Sequence, residues 1–198
     1  MKNMKKKILS ILSVAILFIA FSISGCKKDT TTTFSEQPFS ALFADDVLSD
    51  ISENETSIND SYYEFGFEFE VTKNGKITQL GTKNPDAGNI RVSIWDLTDT
   101  SVIAQSSISA VAHTPKFLTL PTAVSLTTGK KYAITMLSND YYWRERTAGA
   151  IYTYPITKGN IKITKYGCRF GNNTPALYPV TFPNYYIAGI ADFTYETE

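Results

Sequence analysis

From residue 62 to residue 72 apolar and polar side chains alternate without a break. Tyr63, Phe65, Phe67, Phe69 and Val71 fall on one side, and Tyr62, Glu64, Gly66, Glu68 and Glu70 on the other. A period of two over this length predicts a β-strand with one face in a core and the other in water. Lys73-Asn74-Gly75-Lys76 follows, and Asn-Gly between two such runs is the signal of a tight hairpin returning through residues 77–82. Asn84-Pro85-Asp86-Ala87-Gly88 is a turn cluster, after which residues 89–97 alternate again, with Ile90, Val92 and Ile94 opposite Trp95. Thr98-Asp99-Thr100 turns into a strand over 101–106, and a loop over 107–115 carries His113, the single histidine. Short strands are expected over 116–120 and 123–126, broken by Pro121, and a further one over 131–137. Later strands are expected over 150–154, 161–170 and 184–195, the last with Tyr185, Ile187, Ala191, Phe193 and Tyr195 on one face.

The pattern upstream is different. Residues 8–23 are uncharged and mostly apolar, preceded by Lys2, Lys5, Lys6 and Lys7 and followed by Ser24-Gly25-Cys26. A basic start, a short apolar run and small residues before a cut site describe a secretory signal. Sixteen residues fall short of the roughly 18 expected of a spanning helix. Ile23-Ser24-Gly25-Cys26 resembles the bacterial lipobox, which implies lipidation of Cys26 and a mature chain tethered by its acyl groups. The expected organisation is therefore a lipoprotein signal over 1–25, a polar tether over 26–33 and one β domain over 34–198. Lys27 after the cysteine resembles lipoproteins sent to an outer membrane. Within 34–61, Phe39, Leu42, Phe43, Val47, Leu48 and Ile51 fit a helical stripe, although 40–43 also reads as a first strand; the polar stretch 52–61 reads as a loop.

Composition supports this division. Removing 25 of 198 residues leaves 173, one domain with enough chain to bury a core. The removed lysines leave 15 basic and 19 acidic residues, so the basic footprint of a nucleic-acid binder is absent. Twelve Tyr and twelve Phe, with Gly and Pro punctuation, favour an all-β fold. Many short strands separated by turns predict an antiparallel β-sandwich, jelly-roll or immunoglobulin-like, of about eight to ten strands, with room for one short N-terminal helix. Eleven acids and no base lie between Lys28 and Lys73, whereas nine bases and only Asp140 and Glu145 lie over 116–169. Opposite charges meeting across paired strands account for this split. A calcium site is the sharper alternative, since hard cations want several carboxylate oxygens, but no spaced Asp-x-Asp-x-Asp-Gly loop is present.

The order of motifs resembles an uncharacterised family of secreted bacterial β-sandwich domains, a domain of unknown function often joined to glycan-binding or immunoglobulin-like modules. Its opening strand is matched by Glu64-Phe65-Gly66-Phe67-Glu68-Phe69 and its Gly-x-Ile-Thr hairpin by Gly75-Lys76-Ile77-Thr78. A Val-x-Leu-Trp-Asp strand is matched by Val92-Ser93-Ile94-Trp95-Asp96. Pro121, Val124, Leu126, Gly129 and Tyr132 match a further segment, and Asn184-Tyr185-Tyr186-Ile187 matches the closing Asn-Tyr-Trp-Val. The usual Gly-Trp pair before the Pro segment is replaced by Thr114-Pro115-Lys116, and Tyr stands for Trp at 186. The resemblance implies a fold and an extracellular setting and brings no catalytic residues.

The strongest candidate for ligand contact is Asp140, Tyr141, Tyr142, Trp143 and Arg144, just after a turn. Aromatic faces stack on sugar rings, and Arg144 or Asp140 could bond hydroxyls; the plain structural reading is that these rings pack over the open end of the sandwich. Trp95 reads as sheet packing. Cys168, the one cysteine left after lipidation, reads as a small buried residue; a catalytic reading would need His113, the only histidine, as its partner. There is no Gly-x-Ser-x-Gly elbow, His-Glu-x-x-His or Gly-rich phosphate loop. The expectation is a non-catalytic envelope protein without a resident cofactor. It would be held at the membrane by lipid and bind a glycan or another envelope protein through loops at one end of the sandwich. A purely structural role, and after it a polysaccharide-active enzyme, are the rivals.

Overall fold

A computed structural model describes residues 35–44, 51–55, 61–146, 150–171 and 175–197. The signal, the tether, Cys26, Val47 and Leu48 lie outside the described residues. In chain order the elements are β1 (Ser35–Glu36), α1 (Pro38–Phe43), β2 (Ile51–Glu55), β3 (Tyr62–Val71), β4 (Gly75–Lys83), β5 (Gly88–Asp96) and β6 (Ser101–Ala110). They continue with β7 (Lys116–Leu126), β8 (Lys131–Ser138), β9 (Tyr142–Arg146), β10 (Ile156–Lys158), β11 (Ile161–Gly171), β12 (Tyr186–Ala188) and β13 (Ile190–Thr197). Ten of these strands are five residues or longer, and every pairing between them is antiparallel. The fold is the expected all-β sandwich, with the short helix at its start.

Three sheets build it, in strand order β1-β13-β4-β7, β10-β11-β3-β8-β5-β6 and β12-β9-β2. The apolar face of β3 carries the core. Phe67 and Phe69 are buried against Phe39 of α1 and Phe193 of β13. Ring centroids lie 5.0 Å apart for Phe39–Phe67 and 5.2 Å for Phe69–Phe193. Each such pair adds about 0.5–1.5 kcal/mol beyond the area it buries. The helix has no side-chain cap of its own. Its first free N–H groups donate instead to Asp192 of β13, from Phe39 N at 3.2 Å and Ser40 N at 2.8 Å.

The second face of β3 is only partly wet. Glu64 is fully buried, and the chain between Pro175 and Phe182 lies over its neighbours. Tyr178 donates to Glu68 at 2.6 Å and packs edge-on against Trp95, and Lys165 Nζ sits 3.2 Å from the centre of the Phe182 ring. A Cβ on Gly167 would meet Phe182 and Pro179 within 2.9 Å, so glycine is what lets this segment lie close. Burial raises the Glu64 pKa against the opposing pull of Arg91, whose guanidinium is 2.8 Å away. Thr135 also donates to Glu64, and Trp95 donates in turn to Thr135. Trp95 is thus sheet packing, as the alternation implied.

The acid–base split is used across β3 and β11, where Glu70 pairs with Lys162 at 3.1 Å and Glu68 with Lys165 at 3.2 Å.

Five local expectations are corrected. Asn74-Gly75 is not a hairpin, because β3 and β4 belong to different sheets and the chain crosses between them. Asn74 Oδ1 accepts from Thr128 N, and a Cβ on Gly75 would strike Tyr195 and Glu196 of β13, so close approach requires the glycine. Pro121 does not split β7; it falls where the β4–β7 register shifts, on a strand with a free edge, which tolerates it. Residues 52–55, read as loop, pair with β9. The run 184–195 is broken by Gly189 at φ +74°, which turns the chain from one sheet to another, and 150–154 lies outside any strand.

Candidate functional site

The side chains of β9 alternate, so Tyr141 just before it and Trp143 within it project to the same side. Opposite them stand Tyr63 and Phe65 at the start of β3, Cys168 near the end of β11, and Tyr186 of β12. Together they line a depression of about 340 Å³ at the end of the sandwich where β3 begins and β11 finishes. The rings form two contacting groups, Tyr63, Phe65 and Tyr141 in one and Trp143 and Tyr186 in the other. Phe65 and Tyr141 centroids are 4.3 Å apart, Tyr63 stacks on Phe65 at 5.8 Å, and Trp143 meets Tyr186 edge-on at 6.1 Å. Phe170, packed against Tyr63, and Tyr185, packed against Tyr186, extend these groups into solvent, with 66% and 50% of their surface exposed.

No Asp, Glu, Lys, Arg or His lines the depression. Burial raises the Tyr141 pKa, and burial together with a hydrogen bond to Cys168 raises that of Tyr186, so both phenols stay protonated. The Cys168 thiol lies 3.4 Å from the Tyr186 hydroxyl. Such a surface offers ring faces, a few hydroxyls and no ionic partner, which suits an uncharged ligand with an apolar face.

The five sequence candidates divide. Tyr141 and Trp143 reach the depression. Tyr142 is buried and points the other way, its hydroxyl 2.8 Å from His113 Nδ1 and its ring under Lys83 Nζ. Asp140 is also buried, accepting from Tyr141 N at 3.0 Å. Arg144 donates to the Phe43 carbonyl. Neither Asp140 nor Arg144 lines the depression, so the expected hydroxyl-bonding partners are held elsewhere in the fold.

Sequence reading placed Tyr63 and Phe65 in the core and gave Tyr186 no role. The signal for Tyr186 was its place in Asn184-Tyr185-Tyr186-Ile187. Tyr63 and Phe65 carried none beyond their core alternation, and they do belong to the core: Phe65 is buried, Tyr63 packs against the cluster, and both meet the depression at its edge.

Among the described residues no three metal-ligating side chains gather. Of the acidic stretch, Glu36 is taken up by the Asn160 backbone N–H and side-chain amide, and Glu64, Glu68 and Glu70 by the partners above; Asp29, Asp45, Asp46, Asp50 and Asp60 lie outside the described residues. No described helix is long and apolar enough to cross a membrane.

Residues 50–187 match the profile of a domain of unknown function, DUF4082. The chain belongs to the DUF4082 family. All six residues lining the depression fall inside the DUF4082 match, whereas β1, α1 and β13 fall outside it. No curated protein matches the chain. The DUF4082 description assigns no activity, so chemistry has to come from the site.

Proposed function

We propose that this DUF4082 chain is a non-catalytic, lipid-anchored protein of the bacterial cell envelope, held at the outer membrane through Cys26, that binds an uncharged glycan. The observation that supports it is the ring-lined depression. Tyr141, Trp143 and Tyr186 face a space of about 340 Å³ with no carboxylate or cation among its lining residues. A pyranose presents an apolar C–H face that stacks on such rings and hydroxyls that bond to phenols. The anchor rests on the basic n-region, the apolar run and Ser24-Gly25-Cys26. Two or more acyl chains hold a protein stably at a bilayer.

A polysaccharide-binding screen on the chain from residue 30, with and without calcium, tests this. Saturable, calcium-independent binding is expected. Trp143→Ala should weaken it about tenfold or more, while Trp143→Phe retains most of it and both variants keep the parent's cooperative melting. In cells, Cys26→Ser should abolish radiolabelled palmitate incorporation. No binding across the screen, or binding untouched by Trp143→Ala, removes the glycan assignment; labelling that survives Cys26→Ser removes the anchor.

A further inference from the structure

Among the described residues six strands lie at sheet edges: β1 and β7, β10 and β6, β12 and β2. An edge exposes a row of unpaired N–H and C=O groups, and folded proteins protect it with short strands, charges, prolines or bulges. Five edges here carry such a device. β1, β10 and β12 are two, three and three residues long. β2 contains Glu53 and Glu55, and β7 contains Lys116, Pro121 and a register shift. β6 differs. It is ten residues, Ser-Val-Ile-Ala-Gln-Ser-Ser-Ile-Ser-Ala, with no charge and no proline. From Ala104 to Ala110 it stays in unbroken register with β5, so its outer edge is regular over that length.

The surface around this edge is apolar as well. Val102 and Ile103 at its start are 40% and 39% exposed, and Val111, just past its end, is 47% exposed. Leu118 on β7, the edge strand of the facing sheet, is 44% exposed.

We propose that β6 is the self-association edge of this protein, on which a second copy lays its own β6 antiparallel, continuing the six-stranded sheet across a two-fold axis. Three features choose a second copy over a foreign strand. An uncharged strand meets its own image without the like-charge repulsion that opposes most self-pairings. It also carries no charge that would select a different partner. Aliphatics at both ends give self-complementarity, since antiparallel pairing brings Val102 and Ile103 of one copy toward Val111 of the other. None of the residues that line the ring-lined depression is on β6 or β7, so this proposal stands apart from glycan binding.

The test uses the full chain in its membrane. Ser106→Cys, Ser107→Cys and Ser109→Cys are made singly, oxidised in cells and run without reductant beside the parent, whose Cys168 is buried. A disulfide-linked dimer at one or more β6 positions, absent from the parent and from Thr119→Cys on β7, is expected. In detergent, the parent should sediment as a dimer, and Ile103→Lys should raise the dimer dissociation constant about tenfold or more with its melting curve still cooperative. Three results would overturn the proposal: a monomer in both assays, a dimer indifferent to Ile103→Lys, or β6 cysteines that crosslink a different protein.

Discussion

Asp192 shows how one residue ties distant parts of this chain. Its carboxylate is fully buried and accepts from Phe39 N, Ser40 N and Phe193 N, so a β13 side chain closes the N-terminus of α1. Burial disfavours the charge more than these donors favour it, and the pKa rises from 3.8 to about 6. The sign of the consequence is fixed. Between these values the folded state holds a proton that the unfolded chain has released, so stability falls as pH rises through that window. Two pH units of displacement correspond to roughly 3 kcal/mol. Glu64, whose pKa is also raised by burial, acts in the same direction. The expected outcome is a melting temperature that declines from pH 4 to pH 7, with the decline visibly shallower in Asp192→Asn. Melting followed by circular dichroism across that range checks it, and equal slopes in the two proteins would place the proton elsewhere.

At the level of elements, the joints between sheets carry the specificity. Gly189 stands between β12 and β13 at φ +74°, and a Cβ there would lie 2.8 Å from Phe65 Cβ. An L-residue in the left-handed region costs about 1–2 kcal/mol, before any displacement of Phe65. Gly189→Ala should therefore destabilise by roughly 2–3 kcal/mol, a drop of about 5–10 °C in Tm for a domain of this size. Differential scanning calorimetry measures it, and a drop under about 2 °C would mean that the joint relaxes freely. These joints are also where sequence reading stops. Alternation is clearest in β3, where it runs from Tyr63 to Val71, and it also found β5. It could not say which strands share a sheet. Lys73-Asn74-Gly75-Lys76 has the composition of a hairpin, and the pairing of β4 with β13, more than a hundred residues away, makes Gly75 a crossover. Glu64 likewise reads as solvent-facing until the chain from Pro175 to Phe182 covers its side of the sheet. The candidate site was legible in two of its six residues for the same reason. Tyr141 and Trp143 stand out as aromatic residues after a turn, but Tyr63, Phe65, Cys168 and Tyr186 join them only through pairings between separate strands.

For the whole molecule, the family match and the folding unit have different limits. DUF4082 similarity ends at residue 187, yet β13 lies between β1 and β4 and is paired to both. Ile190, Phe193 and Tyr195 are each at most 3% exposed, and Phe193 touches both Phe39 and Phe69. Burying three such side chains is worth roughly 5–9 kcal/mol, comparable with the 5–15 kcal/mol that a whole domain has to spare. The same strand carries Asp192, without which the first turn of α1 has no side-chain acceptor. A chain ending at Ala188 should therefore lose the four-stranded sheet as a unit and expose the aromatic face of β3. Its expected signature is a broad thermal transition with strong binding of a hydrophobic dye, where the full chain melts cooperatively and binds little. A sharp transition in the truncated chain would show that residues 50–187 fold without their closing strand. In that case β13 would be an accessory to the domain, and the boundary of the family would be the boundary of the fold.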